Sequence, residues 1–113
     1  MKVNIAWSTN DDSSDAGNTI AKKAVLDLVQ TKLAIIFSSE KYNTINLLKG
    51  AKTILGTAPI IGNTSQKGII TPDGLITSKK GFAGIMAIGD NDTAVGTAIL
   101  DKGTSARETG KAV

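Results

Sequence analysis

The stretch TKLAIIFSSEKYNTINLLKGAKTILGTAPIIG, residues 31–62, decides the fold. Residues 33–37 form a continuous apolar run bounded by Lys32 and Ser38. The run is too short for a lone helix and reads as a fully buried strand. The polar loop SSEKYN follows. Asn43 or Thr44 then caps a helix that carries Leu47, Leu48, Ala51, Ile54 and Leu55 on one face. Gly56 stands where a C′ glycine belongs, and Pro59 stops any continuation. Residues 59–62 give the next strand. Strands joined through helices in this way predict parallel pairing and right-handed βαβ units.

Upstream, Val3, Ile5 and Trp7 alternate with polar or small residues, which is the period of a strand. The polar loop STNDDSSD, residues 8–15, follows it. Ser14 or Asp15 is the expected N-cap of a helix whose apolar stripe is Ile20, Ala21, Ala24, Val25, Leu28 and Val29. Downstream the chain changes character. Ile69 and Ile70, the turn Thr71-Pro72-Asp73-Gly74, and residues 75–77 read as a hairpin. Residues 82–88 read as a buried strand, with Gly81, Gly84 and Gly89 marking close packing or a bulge. Residues 89–92 read as a turn and residues 93–100 as a last strand. Ser105-Ala106-Arg107-Glu108 is a capping box that starts a helix with few residues left to run, which suggests a truncated element. The expected architecture is therefore α/β: one domain over residues 1–113, with a mixed sheet. A parallel βαβαβ start leads into an antiparallel β meander, with helices packed on the sheet and a truncated C-terminal helix.

Composition excludes several chemistries. The 113 residues hold no Cys and no His. Disulfides, thiolate catalysis, the usual zinc sites and any Ser-His-Asp or Cys-His pair are thereby ruled out. Only four aromatic residues are present, Trp7, Phe37, Tyr42 and Phe82, so the core must be aliphatic. The net charge is +3, carried by scattered lysines and one arginine, Arg107. Arg-rich clusters or aromatics interleaved with charge, which mark nucleic-acid binders, are missing, and nucleic acid is not an expected partner. Met1 and Lys2 lead straight into the first strand without the apolar stretch of a signal peptide, and no apolar run approaches the roughly 18 residues that span a bilayer. A cytoplasmic protein with no membrane partner is expected.

The order of these features resembles the N-terminal part of the FIST domain family. The resemblance is carried by LAIIFSSEKYN (residues 33–43), LLKGAKTILG (residues 47–56) and TAPIIGNTSQKGIIT (residues 57–71). Ile60-Ile61-Gly62 matches the family's apolar pair and glycine, and Thr64-Ser65 its hydroxyl pair. Trp7-Ser8, a polar loop and an Ala-rich helix look like the family's start. Asn63 stands where the family commonly has Cys, and Lys67-Gly68 where it has Gly-Glu. Family members are normally longer, with a further C-terminal domain, so the resemblance implies a partial domain. It also implies a bacterial sensory module of signal transduction that binds a small ligand such as an amino acid.

The residues offer a matching site. In open α/β sheets, ligands sit at the carboxyl ends of parallel strands. Three polar loops leave such ends: residues 8–15, 38–43 and 62–67. The candidate ligand-binding residues are Ser8, Asp11, Asp12, Ser38, Ser39, Tyr42, Gly62, Asn63, Thr64 and Ser65. Helix N-termini there would offer N–H donors to a carboxylate, and Asp11, Asp12 or Asp15 would meet an ammonium. The same residue types also form turns and N-caps, and the sequence leaves the two readings open. Ser38-Ser39-Glu40-Lys41 matches S-x-x-K but lacks the S-D-N and K-T-G partners of that catalytic set. Residues 62–68 are not a Walker A loop, since a strand and not a helix follows. Asp90, Asn91, Asp92 and Asp101 fall short of a calcium loop, because Ala94 and Val95 occupy positions that need an oxygen ligand and Gly. A non-catalytic binding domain without metal or cofactor is expected, and a homodimer is left open. The alternative is an assembly module that pairs through its last strand or C-terminal helix, without a ligand.

Overall fold

A computed structural model describes residues 1–89, 94–99 and 111. The elements are β1 (Lys2–Ser8), α1 (Ser13–Val25), β2 (Thr31–Ser39), α2 (Thr44–Leu55), β3 (Ile60–Ser65), β4 (Ile69–Thr71), β5 (Gly74–Ile76) and β6 (Ala83–Gly89). The fold class read from the sequence stands: mixed α/β with helices packed on a mixed sheet. The main sheet has the order β1-β6-β2-β3, and β4 and β5 form a separate two-stranded sheet. β2 and β3 pair in parallel, whereas β6 pairs antiparallel with both β1 and β2. The crossover from β1 to β2 therefore leaves a slot one strand wide, which β6 fills.

Both crossovers, β1 to β2 and β2 to β3, run in the same direction across the sheet. Right-handed connections then place both helices on one face, and α1 and α2 pack against each other there. That face of the sheet is small: Ala6, Ala34, Ile36, Ala83, Ile85 and Ala87 are all buried. Ala16, Ile20, Ala21 and Ala24 of α1 and Leu47, Ala51 and Leu55 of α2 close on it. The helices meet backbone to backbone where Gly17 crosses Gly50. A Cβ on Gly17 would overlap the Leu47 carbonyl, and one on Gly50 would overlap the Ser14 carbonyl. Asn18 Nδ2 donates to Thr53 Oγ1 at 2.8 Å beside this crossing.

Among the described residues, neither α1 nor α2 packs on the opposite face of the sheet. Across the strands its side chains fall in rows set by the register: Val3, Ile88 and Leu33; then Ile5, Met86, Ile35 and Ile61; then Trp7, Gly84, Phe37 and Asn63. The β4–β5 hairpin leans over the last row. Its Ile69 sits so close to Gly84 that a Cβ there would lie 2.7 Å from Ile69 Cδ1. The close packing expected at that glycine is thus explained.

Several boundaries differ from the sequence reading. The N-cap of α1 is Asp12, not Ser14 or Asp15: its carboxylate accepts from Asp15 N at 2.8 Å. The helix ends at Val25, not Val29. Asn4 on β1 donates from Nδ2 both to the Ala24 carbonyl at 3.0 Å and to Asp27 Oδ1, and Lys2 pairs with Asp27 Oδ2 at 2.8 Å. These strand side chains satisfy the end of the helix and turn the chain, so Leu28 still reaches the core while Val29 is 88% exposed. β3 runs on to Ser65, so Gly62, Asn63, Thr64 and Ser65 belong to a strand and not to a loop. Residues 94–99 form no strand, contrary to expectation. The remainder of that expected strand, the turn after Gly89, the calcium-like residues Asp90–Asp92 and Asp101 and the 105–108 capping box lie outside the described residues.

Candidate functional site

The carboxyl ends of β1, β2 and β3 and the amino ends of α1 and α2 share one edge of the domain. Two of the three polar loops are tied together there. Asn43 N donates to Ser13 Oγ at 2.9 Å, and the Tyr42 hydroxyl donates to the Asn10 carbonyl. Tyr42 is only 4% exposed, and its ring lies against Gly81, where a Cβ would sit 2.8 Å from Cζ. Burial, and secondarily the Asp11 carboxylate, push the Tyr42 phenol above its ordinary pKa.

Most of the candidate residues in these two loops spend their polar groups on the backbone. Ser8 Oγ accepts from Asn10 N at 3.1 Å, and Asn10 Oδ1 accepts from Asp12 N at 2.9 Å. Asp12 caps α1. Asp11 pairs with Lys80 at 3.2 Å, an exposed ion pair. Ser39, 2% exposed, accepts from Lys41 N at 3.0 Å. These contacts make a rigid corner out of the STNDDSSD and SSEKYN loops: caps, turns and one buried phenol. Ser8, Asp12 and Ser39 thus make the turn and cap contacts that their residue types also allow.

The third group lies across β2. In the parallel ladder Gly62 stands beside Ile36, Thr64 beside Ser38 and Ser65 beside Ser39. β1 and β3 are three strand spacings apart, about 14 Å. Ser8, at the end of β1, is therefore well separated from the β3 hydroxyls. Asn63 and Ser65 are also turned inward on themselves: Asn63 Oδ1 accepts from Thr64 N at 2.8 Å, and Ser65 Oγ donates to the Gly68 carbonyl at 2.6 Å.

What remains is a groove of about 280 Å³ on the helix side of β2 and β3, beside the amino end of α2. Ser38, Gly62, Asn63 and Thr64, four of the candidates, line it. Thr44, Leu47, Leu48, Ile36, Ile60 and Ile61 complete it. Asn43 Oδ1 caps α2 by accepting from Asn46 N at 3.1 Å, and the Asn43 carbonyl accepts from Leu47 N. The amides of Thr44 and Ile45 precede the first intrahelical bond and have no helical acceptor. The groove thus offers three hydroxyls, the helix-terminal amide of Thr44 and an apolar floor, with no ionisable side chain in its lining. Sequence reasoning missed Thr44 and Leu48. The signal for Leu48 was the breadth of the α2 stripe: Leu47, Ala51 and Leu55 are buried, while Leu48 is left half-exposed on the flank beside β3.

A larger groove, about 610 Å³, opens at the other end of the sheet between Val25–Lys32 and Ile54–Pro59. It faces the carboxyl ends of both helices, which present carbonyls and no amides. Lys32 is the one ionisable side chain among its described lining residues. Among the described residues, no group of three or more acidic side chains is placed to hold a metal ion, and no helix is long and apolar enough to cross a membrane. Compared with known proteins, the chain matches no family model and no curated sequence.

Proposed function

We propose that this chain is a non-catalytic ligand-binding domain of the FIST sensory type, which takes a small amino-acid-like molecule into the groove between α2 and β3. The observation that carries the reading is the meeting of a helix amino end with the carboxyl ends of two parallel strands over an apolar floor. That is where open α/β sheets bind ligands. The carboxylate of the ligand lies at the Thr44 amide, at the amino end of α2, where the helix dipole favours negative charge. The hydroxyls of Ser38, Thr44 and Thr64 fix its orientation, and an aliphatic side chain lies on Leu48 and Ile60. The lining supplies no acid, base or ionisable nucleophile, which favours binding over catalysis. The signalling role follows from the family resemblance: a ligand that prefers one of two states biases an output elsewhere.

The test is thermal unfolding across a panel of amino acids and small organic acids. A ligand at 100 times its dissociation constant adds about 2.7 kcal/mol, a shift of about 10 °C for a domain of this size. The shift should vanish in Leu48→Trp, which fills the groove from its half-exposed flank, and persist in Asp11→Asn. A panel without any shift, or a shift indifferent to Leu48→Trp, refutes the assignment.

A further inference from the structure

The sheet face away from the helices is apolar except for polar residues such as Asn63 near the strand ends, and its four strands place no charged side chain on it. Val3, Ile5, Phe37, Ile61 and Met86 are each 40–46% exposed there. The hairpin turns Ile69 and Ile76 toward the sheet and sends Ile70 (90% exposed) and Leu75 (63%) outward. Together these seven side chains expose roughly 700 Å² of largely apolar surface, beyond the patch a soluble monomer ordinarily shows. Isolated exposed aliphatics would need no explanation. A contiguous patch built in register from four strands does.

We propose that this face is the interface of a homodimer, two copies of the chain packed sheet on sheet around a two-fold axis near Met86. Three observations favour a second copy over another occupant. First, two such patches cover about 1,400 Å² when apposed, inside the range of 1,200–2,000 Å² for stable specific interfaces. Second, a two-fold contact sets each residue against the same surface, and a face without charges incurs no like-charge repulsion in doing so. Third, the relief is self-complementary. The hairpin stands above the Trp7–Gly84–Phe37 row, while among the described residues no element covers the Val3–Ile88–Leu33 row. A two-fold axis across the sheet lays each hairpin over the bare end of its mate. Twisted sheets pack face to face at about 10 Å with interdigitating aliphatic side chains, which these rows supply. The ligand groove lies on the helix side and meets this face only at the edge strand β3, where Ile61 and Asn63 border both; the centre of the interface, at Met86, lies outside the groove lining.

The experiment is sedimentation equilibrium of the full chain from micromolar to sub-millimolar concentration, read together with Trp7 fluorescence. Trp7 is the single tryptophan and lies at the rim of the patch. The expected result is a mass rising from 11.7 kDa toward twice that value, with Trp7 emission moving to the blue over the same range. Met86→Lys puts a charge at the centre and should weaken association at least roughly tenfold. Leu26→Lys, an exposed position beyond α1, should dimerise like the parent. Circular dichroism establishes that each variant is folded, and Val3→Lys replaces Met86→Lys if the latter is not. A parent chain that stays monomeric throughout overturns the proposal, and the face then serves a different partner. So does a dimer indifferent to both lysines, or one that forms with no change in Trp7 emission.

Discussion

Gly50→Ala separates local preference from packing in this fold. In an isolated helix the change is stabilising by about 1 kcal/mol, because Ala is the better helix former. Here the new Cβ would overlap the Ser14 carbonyl of α1 and lie 3.1 Å from Asn18 N. Both neighbours are backbone of a packed helix, so no side chain can swing away. The helices would have to part by about 1 Å, which loosens the contact of Ala16, Ile20 and Ala21 with α2. Overpacking of this kind costs about 1–3 kcal/mol, occasionally more. Because both clashes are with backbone the cost lies at the upper end, about 3 kcal/mol, so against the propensity gain the net loss is about 2 kcal/mol, or roughly 8 °C in Tm. Gly17→Ala overlaps the Leu47 carbonyl at the same crossing and should cost as much. Because either change alone separates the helices, the double variant should lose clearly less than the sum of the two. Urea unfolding followed by circular dichroism measures all three. A Gly50→Ala protein as stable as the parent, or strictly additive losses, would refute the argument that this crossing is set by backbone contact.

Tyr42 should make stability fall at alkaline pH. Its phenol titrates above 10.0 in the fold and near 10.0 when unfolded. The unfolded chain therefore holds fewer protons in that window. The contribution is complete below pH 10 and lost as pH rises through the folded-state value. Tyr42→Phe should flatten this part of the Tm–pH curve and, by deleting the hydrogen bond to the Asn10 carbonyl, cost about 1 kcal/mol at neutral pH. Asn43→Ala should destabilise by about 1 kcal/mol in urea titrations through loss of the α2 cap, while Asn43→Asp retains most of that stability. Asp11→Asn, which breaks an exposed ion pair with Lys80, should change stability by less than about 0.5 kcal/mol; a larger effect would mean the pair orders the loop.

The parts of the fold that depend on neighbours in sequence were legible. Asn43, the Leu47–Leu55 stripe and Gly56 mark α2 from cap to cap, because each signal acts within a turn or two of its cause. The end of α1 was not, because its Ala24 carbonyl is satisfied by Asn4 and its turn is held by Lys2, side chains twenty or more residues away. The same holds for β3. Its polar residues Asn63, Thr64 and Ser65 read as loop, yet pairing with Phe37, Ser38 and Ser39 keeps them extended. Residues 82–88 were recognisable as a buried strand, but nothing local says that β6 lies between β1 and β2. The site divided in the same way. Ser38, Gly62 and Thr64 announced themselves by type and by position after apolar runs. Leu48 was hidden in a stripe that reads as core, and Ser8 and Asp12 carried a side-chain chemistry that caps and turns use equally well.

The place of β6 bears on how the chain acquires its structure. β1 and β2 never touch as partners; they are joined through β6, which lies more than forty residues further along than β2. A chain emerging in order can close α2 onto β2 and β3 early, but β1 must wait with its ladder unfilled until residue 89 has been made. Contacts of such long sequence separation slow folding, since the entropy of the intervening loop is spent before any pairing rewards it. Until then, two unpaired edges flank the vacant slot, one on β1 and one on β2, and either can accept a strand from another chain. Keying the sheet on its last strand makes assembly all-or-none, and it concentrates the risk of misassembly in the interval before that strand arrives.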